Sequence, residues 1–149
     1  MSKVKKIEAI TGGTSDELEA AFYEALQNAD LERLMACWAD DDEVVCVHPG
    51  GPRMVGLGAI RSAFEAMFNN GSIRVRPEAV LKVETLGSSV HSVRERIELV
   101  TPEGPMDAVV IATNVYHKTA QGWRLVAHHA SPGTPNAPQE MSSSPSGLH

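Results

Sequence analysis

The spacing of apolar residues changes once along this chain of 149 residues, near position 71. Before that point apolar side chains recur every three or four residues, as on one face of an α-helix. After it they recur every second residue, as along a β-strand. The first half predicts three helices and one buried strand, at about 15–29, 31–38 and 58–69 and at 44–48. The second half predicts four long strands, at 73–86, 90–100, 106–118 and 122–131.

Local signals support these elements and indicate how they connect. Thr14 and Glu17 form a capping box before the first helix, and Asp30 can cap the second. The long strands are separated by short turn-forming segments at 87–89, 102–105 and 119–122. Short connections favour antiparallel neighbours, so we expect an α+β fold of order ααβαββββ with a mainly antiparallel sheet.

The folded domain is expected to occupy only part of the chain. Residues 1–14 precede the first helix and are interpreted as a leader. Residues 133–149 are polar and rich in proline and serine, which predicts a tail that packs little apolar surface. The predicted domain is therefore 15–132.

The predicted sheet has more apolar surface than three helices can cover. Strands of about ten residues twist and curl, and helices packed on one side leave the other side open. Residues 109–112 and 125–127 are nonetheless apolar on both faces of their strands. An apolar face without helices predicts packing against a second copy, so we expect a homodimer through the open sheet face.

Composition and charge narrow the class of protein. The chain is 42% hydrophobic and 21% charged, with a formal net charge of −6, which argues against a nucleic-acid partner. Its apolar runs are too short for a membrane span, and its two cysteines suggest neither a disulfide framework nor a zinc site. We expect a cytoplasmic domain that uses no metal and no other cofactor.

Glu95 is the carboxylate best suited to proton transfer. Strand alternation puts it on one face with Val93 and Ile97, where loss of hydration would raise its pKa. The alternative is an ion pair with an arginine across the sheet.

Three histidines are further catalytic candidates. His48 ends the first strand beside the Pro-Gly-Gly-Pro loop at 49–52, where it could act as an acid or base or simply tie down the turn. His128 and His129 are adjacent on the last strand, so they point to opposite faces and cannot both enter one pocket. Strict alternation groups His129 with Leu125 and His128 with Val126, although a bulge would change this grouping.

Three segments of the chain resemble the NTF2-like superfamily, and in particular its SnoaL-like and ketosteroid-isomerase-like branch. They lie at 35–41, 47–61 and 122–132, and the last reads Gly-Trp-Arg-Leu-Val-Ala-His-His-Ala-Ser-Pro. The resemblance implies a cone in which a curled sheet and its helices enclose a pocket. Isomerases, cyclases, dehydratases, scaffolds and transport adaptors share this frame, so the resemblance implies a fold more closely than a function.

These observations predict a small, largely apolar organic ligand in that pocket. Side chains that could contact it are Trp38, Met54, Phe64, Asn114 and Tyr116, although the same residues could simply be core. One hypothesis is a cofactor-independent isomerase, cyclase or dehydratase that acts by proton transfer. The alternative is a non-catalytic ligand-binding or dimerisation module, which includes an adaptor of the nuclear-transport type.

Overall fold

The computed structural model describes residues 12–70, 73–134 and 138–143 of the chain. The predicted leader at 1–14 and the predicted tail at 133–149 lie in large part outside the described residues. Within these ranges, none of the helices is long and apolar enough to cross a membrane.

The helices begin where the capping signals predict. The three are α1 (Ser15–Gln27), α2 (Leu31–Ala36) and α3 (Leu57–Asn69). Thr14 Oγ1 accepts the backbone N–H of Glu17 at 3.0 Å, and Asp30 Oδ1 accepts that of Arg33 at 3.2 Å. Each bond satisfies a backbone donor that the first turn of a helix leaves without an internal partner.

The strands form one six-stranded sheet in the order β2-β1-β6-β5-β4-β3. They are β1 (Val45–Val47), β2 (Arg53–Val55), β3 (Ile73–Glu84), β4 (Ser88–Thr101), β5 (Gly104–Thr119) and β6 (Gly122–Pro132). The pair β1–β6 is parallel, and the other four pairs are antiparallel. The α+β fold and the four long antiparallel strands are thus confirmed.

The observed order of elements is ααββαββββ, which includes one strand, β2, that the sequence pattern does not predict. This strand has only three residues and lies between Pro52 and Gly56, which is too short for alternation to show. It pairs with β1 through Cys46 and Met54 and forms the edge of the sheet.

A bulge in β6 decides which histidine faces inward. Val115 pairs with Ala127 while Tyr116 pairs with Leu125, so Val126 has no partner across the strand pair. The extra residue shifts the alternation by one and brings Leu125 and His128 to the same face. Strict alternation, which separated these two residues, is wrong at this point.

The core lies between the helices and the inner face of the curled sheet. It is built from fully buried apolar residues of α1, α3, β4 and β6, among them Leu18, Phe22, Ile60, Phe64, Val93 and Leu125. The polar site described next is set into this layer, close to α1.

Candidate functional site

A cavity of about 720 Å³ opens between the inner face of the sheet and the helices. Its wall is mostly apolar and includes Leu26, Phe64, Met67, Val75, Ile97 and Val110. Gly133, Thr134 and Gln139, which follow β6, also line it. The volume lies within the range of sites that hold small organic molecules.

Five titratable side chains line the cavity: His48, Glu95, Arg96, Asp107 and His128. Arg96 pairs with Glu78. Burial shifts the pKa values of His48, Glu95 and His128, and we call these three residues the cavity site. His48 follows β1, Glu95 lies on β4 and His128 on β6, so the curl of the sheet brings together residues that are far apart in sequence. The rings of His48 and His128 have centroids 6.3 Å apart.

Glu95 is buried, with 4% of its surface exposed. The hydroxyl of Tyr23 on α1 donates to its Oε2 at 2.6 Å. Burial raises the pKa of the Glu95 carboxyl to about 7, an effect that the Tyr23 hydrogen bond opposes and the charge of Glu19 reinforces. Glu95 therefore exists in both protonation states near neutral pH, as a group that gives and takes protons must.

His128 is neutral under the same conditions. Burial lowers its pKa to about 3, and the nearby His48 and His129 act in the same direction. Its Nδ1 lies 2.5 Å from Oδ1 of Asn114, and its ring packs against Phe22.

His48, the third residue of the cavity site, follows β1. Its ring packs edge-on to Phe64 at 4.9 Å between centroids, and burial lowers its pKa. Its Nε2 is 3.5 Å from Sγ of Cys46, and burial raises the pKa of that thiol to about 12. A thiol that stays protonated is a weak hydrogen-bond donor and a poor nucleophile.

A second group of polar side chains lies between α1 and the sheet, beyond the cavity wall. It consists of Ser15, Glu19, Ser89, His91 and Tyr116, all at most 7% exposed, and we call it the closed cluster. His91 Nδ1 is 2.8 Å from Glu19 Oε2, and the Tyr116 hydroxyl donates to the same oxygen at 2.6 Å. On the other side of the ring, His91 Nε2 contacts Ser15 Oγ and Ser89 Oγ at 3.2 and 3.0 Å.

Asn114 and Tyr23 join the closed cluster to the cavity site. Asn114 Nδ2 donates to the Tyr23 hydroxyl at 3.0 Å and to Glu19 Oε2 at 3.4 Å. Because Tyr23 in turn donates to Glu95, hydrogen bonds connect the two groups without interruption.

The other residues proposed from the sequence lie in different places. Phe64 lines the cavity, Trp38 belongs to the core, and Met54 is partly buried and packs against the core. Trp38 Nε1 is buried with no hydrogen-bond partner among the described residues. His129 is exposed on the outer face of the sheet, away from the cavity. Asn114 and Tyr116 are buried side chains that bond to the network described above.

The sequence reading missed the polar residues of α1. Ser15, Glu19 and Tyr23 recur every fourth residue and so form one stripe along the buried side of the helix. An apolar stripe runs beside them on the same helix. A glutamate and a tyrosine in register on a buried helix face were the available signal.

The described part of the chain contains no group of three His, Cys, Asp or Glu side chains arranged to hold a metal ion. The cavity site brings together a carboxyl group and two neutral imidazoles, and Tyr23 adds a hydroxyl that is bonded to the carboxyl.

A curled sheet whose inner face, with its helices, encloses a cavity defines the cystatin-like, or NTF2-like, class of α+β cones. Solved structures support this assignment. A candidate calcium/calmodulin-dependent protein kinase type II association domain from Thiobacillus denitrificans is 35% identical, with a TM-score of 0.74 over 81% of this chain and 96% of that one. A candidate dehydratase of the NTF2-like family from Streptomyces avermitilis is 30% identical, with a TM-score of 0.74 over 80% and 94%.

A more distant structure shows the same fold. The CaMKII hub of S. rosetta is 20% identical, with a TM-score of 0.65 over 80% of this chain and 94% of that one. A comparison with curated proteins gives no match.

Residues 16–135 match the model of the SnoaL-like domain. The chain therefore belongs to the SnoaL-like family, and the resemblance expected from its sequence is confirmed.

Proposed function

We propose that this domain binds a small, largely apolar molecule and transfers a proton on it without a cofactor. The observation that carries the proposal is Glu95, a buried carboxyl in the wall of the cavity whose pKa is raised to about 7. An acid/base group is most effective when its pKa lies near the working pH. The apolar wall suits a molecule that has few polar groups.

The proposed roles follow from the state of each side chain. Tyr23 occupies Glu95 Oε2, so we assign proton transfer to Oε1. His48 and His128 have lowered pKa values and act as neutral hydrogen-bond partners that orient the polar end of the substrate. A positively charged imidazole is not required.

One proton on Glu95 suffices for the chemistry. The carboxylate removes a proton from a carbon next to a carbonyl group. The electron pair of the broken C–H bond forms a C=C bond to the carbonyl carbon, and the C=O π pair moves onto the oxygen to give an enolate. In a β,γ-unsaturated ketone, return of the proton to the γ-carbon re-forms the C=O bond, shifts the C=C bond and completes an isomerisation. In a β-hydroxyketone, transfer of the proton to the hydroxyl group while its C–O bond breaks re-forms the C=O bond, leaves a C=C bond and releases water, which completes a dehydration. The similarity to a candidate dehydratase of this fold supports the second route.

Hydrogen–deuterium exchange into apolar ketones tests the proposal without knowledge of the natural substrate. Wild-type protein in D₂O is expected to speed deuterium uptake by at least one member of a panel that includes menthone and 2-decalone. Glu95→Gln should lose this activity by about 100-fold or more. Glu98→Gln is the matched control, because Glu98 lies on the same strand and alternates to the opposite face.

Equal exchange rates for Glu95→Gln and wild type would overturn the assignment of Glu95. A wild-type rate no higher than that of buffer across the panel would contradict proton transfer on ketones and favour a binding function. Mass spectrometry of the recovered ketones gives both results.

We also propose that the domain forms a homodimer through the outer face of its sheet. One row of apolar residues crosses all six strands in register: Val83, Val90, Val115, Ala127, Val45 and Val55. Val83, Val90 and Val55 are 75%, 40% and 47% exposed, and exposed valines in a continuous row favour a protein partner. The association domain and the hub among the similar structures support a second copy of this chain as that partner.

Sedimentation velocity tests the dimer. Wild type is expected to sediment as a dimer, and Val90→Glu should sediment as a monomer because it places a charge in the row. Leu86→Glu is the control, since Leu86 is 95% exposed in the β3–β4 turn and outside the row. A monomeric wild type at concentrations well above micromolar would overturn the proposal.

A further inference from the structure

The side-chain amide of Asn114 is held from both ends. Its Nδ2 donates to the Tyr23 hydroxyl and to Glu19 Oε2, while its Oδ1 lies 2.5 Å from His128 Nδ1. It is fully buried on β5, between α1 on one side and β6 on the other. The amide can take one of two orientations, which exchange its donor and acceptor atoms.

Glu19 decides between these orientations. Its Oε2 already receives the Tyr116 hydroxyl at 2.6 Å and lies 2.8 Å from His91 Nδ1. An oxygen in this position repels the amide oxygen of Asn114 and attracts the amide N–H, so the donor end must face Glu19. The acceptor end, Oδ1, is then turned to His128.

The closed cluster keeps Glu19 in place. Ser15 donates its hydroxyl proton to Glu84 Oε1 at 2.5 Å, so its oxygen is free to accept from His91 Nε2. His91 Nδ1 in turn lies 2.8 Å from Glu19 Oε2, so the serines position the ring and the ring positions the Glu19 carboxyl.

We propose that Glu19 is a positioning residue that, through Asn114, fixes His128 in the tautomer with the proton on Nδ1. The ring nitrogen left for the cavity is then Nε2, which can only accept a hydrogen bond. Glu19 contacts no ligand in this scheme and acts from the closed cluster, beyond the cavity wall.

The fixed tautomer of His128 also indicates which ligand the cavity can bind. This part of the inference rests on the proposed small-molecule function. A neutral imidazole acceptor selects a hydroxyl group and gives no attraction to a carboxylate or phosphate. Arg96 also lines the cavity, but its charge is paired with Glu78. The ligand class is therefore an uncharged, mostly apolar alcohol or hydroxyketone whose hydroxyl donates to His128.

Nitrogen-15 NMR of the histidine rings tests the tautomer directly and needs no substrate. In wild type between pH 5 and 8, His128 is expected to show protonated Nδ1 and unprotonated Nε2 as a single tautomer. Glu19→Met removes the acceptor that orients Asn114 and should give a mixture of tautomers. Glu19→Gln retains an acceptor oxygen and should restore the single tautomer.

Glu24→Met is the matched control, because Glu24 lies on the same helix but is exposed and pairs with Arg33. A wild-type His128 protonated on Nε2 would overturn the proposal even if no variant folded. An unchanged single tautomer in folded Glu19→Met would overturn the role of Glu19. Neither result depends on ketone exchange, so failure here is distinct from failure of the proposed reaction.

A pair of probes with one carbon skeleton tests the ligand class. Menthol carries a hydroxyl donor where menthone carries a carbonyl acceptor, and calorimetry is expected to show about tenfold tighter binding of menthol, equal to about 1.4 kcal/mol. The preference should be lost in His128→Leu and kept in His129→Leu. Equal affinities for the two probes in wild type would contradict the proposed class.

Discussion

The closed cluster and the cavity site contain the same residue types, but the first is satisfied within the protein and the second borders a cavity. Each combines a buried glutamate with a histidine on the inner face of the sheet. In the closed cluster both nitrogens of His91 have partners, and one oxygen of Glu19 has contacts with three side chains. In the cavity site Glu95 bonds to Tyr23, His128 bonds to Asn114, and the remaining atoms border a cavity. Buried polar groups satisfied within the protein hold the fold together, whereas those left to a cavity are available for chemistry.

Removing the glutamate of each group gives the largest contrast. Glu19→Leu should lower the free energy of unfolding by about 3–5 kcal/mol, because it leaves His91 and Tyr116 without their buried partner. Glu95→Leu should change it little or raise it, because it removes a carboxyl that folding strips of water. Urea denaturation at pH 7 measures both.

Glu24→Leu is the control for the first change, since its ion pair with Arg33 is exposed and contributes little. If Glu19→Leu and Glu95→Leu had equal effects, the distinction between the two groups would be wrong.

The pH dependence of stability separates the two titrating members of the cavity site. The pKa of Glu95 rises from 4.5 to about 7 on folding, so its contribution is complete below pH 4.5 and is lost as the pH rises through 7. The pKa of His128 falls from 6.5 to about 3, so its contribution is complete above pH 6.5 and is lost as the pH falls through 3. The two effects oppose each other between pH 4.5 and 6.5.

The difference in the free energy of unfolding between wild type and a variant isolates each effect, because the contributions of titratable groups common to both proteins cancel. Other titratable groups near Glu95 are Glu19 and Tyr23 on α1 and Cys46 on β1. The same cavity is also lined by His48, Arg96, Asp107 and His128. From pH 4.5 to 6.5, the stability of wild type relative to Glu95→Gln should fall by up to about 1.4 kcal/mol per pH unit. Relative to His128→Phe it should rise by a similar amount. Slopes of the same sign would refute the assigned shifts.

Much of the fold was predictable because local patterns determine it. The spacing of apolar residues and the helix-capping residues predicted three helices and four long strands within a few residues of their observed limits. Strand β2 was not predictable, because three residues between Pro52 and Gly56 carry no period. The bulge at Val126 was not predictable either, because it depends on how β6 pairs with β5.

The candidate site was predictable only in part. Burial of Glu95 among apolar neighbours followed from alternation along β4. Its partner Tyr23 is 72 residues away on a helix, and no local pattern relates the two positions. The inward position of His128 required the bulge, and the role of Glu19 required the packing of α1 on the sheet.

The Tyr23 hydroxyl is where the closed cluster and the cavity site meet, and its removal should affect both. Tyr23→Phe takes a donor from Glu95, so the pKa of that carboxyl should rise above its value of about 7. It also takes an acceptor from Asn114, and the free energy of unfolding should fall by about 1–2 kcal/mol. Carbon-13 NMR of the carboxyl measures the pKa. A lowered pKa would show that Tyr23 does not stabilise the carboxylate form.

Ser15→Ala should have the smallest effect, and it tests how completely the closed cluster is satisfied. Ser15 is 1% exposed and connects His91 Nε2 to Glu84. Ser89 also contacts Nε2 at 3.0 Å, so the ring keeps one acceptor and the expected loss is about 1 kcal/mol. Ser62→Ala on the exposed side of α3 should cost less than Ser15→Ala in the same urea titration. Because the closed cluster holds Glu19, the His128 tautomer should not change in Ser15→Ala. A mixed tautomer would show that the two groups are coupled through the serine as well as through Asn114.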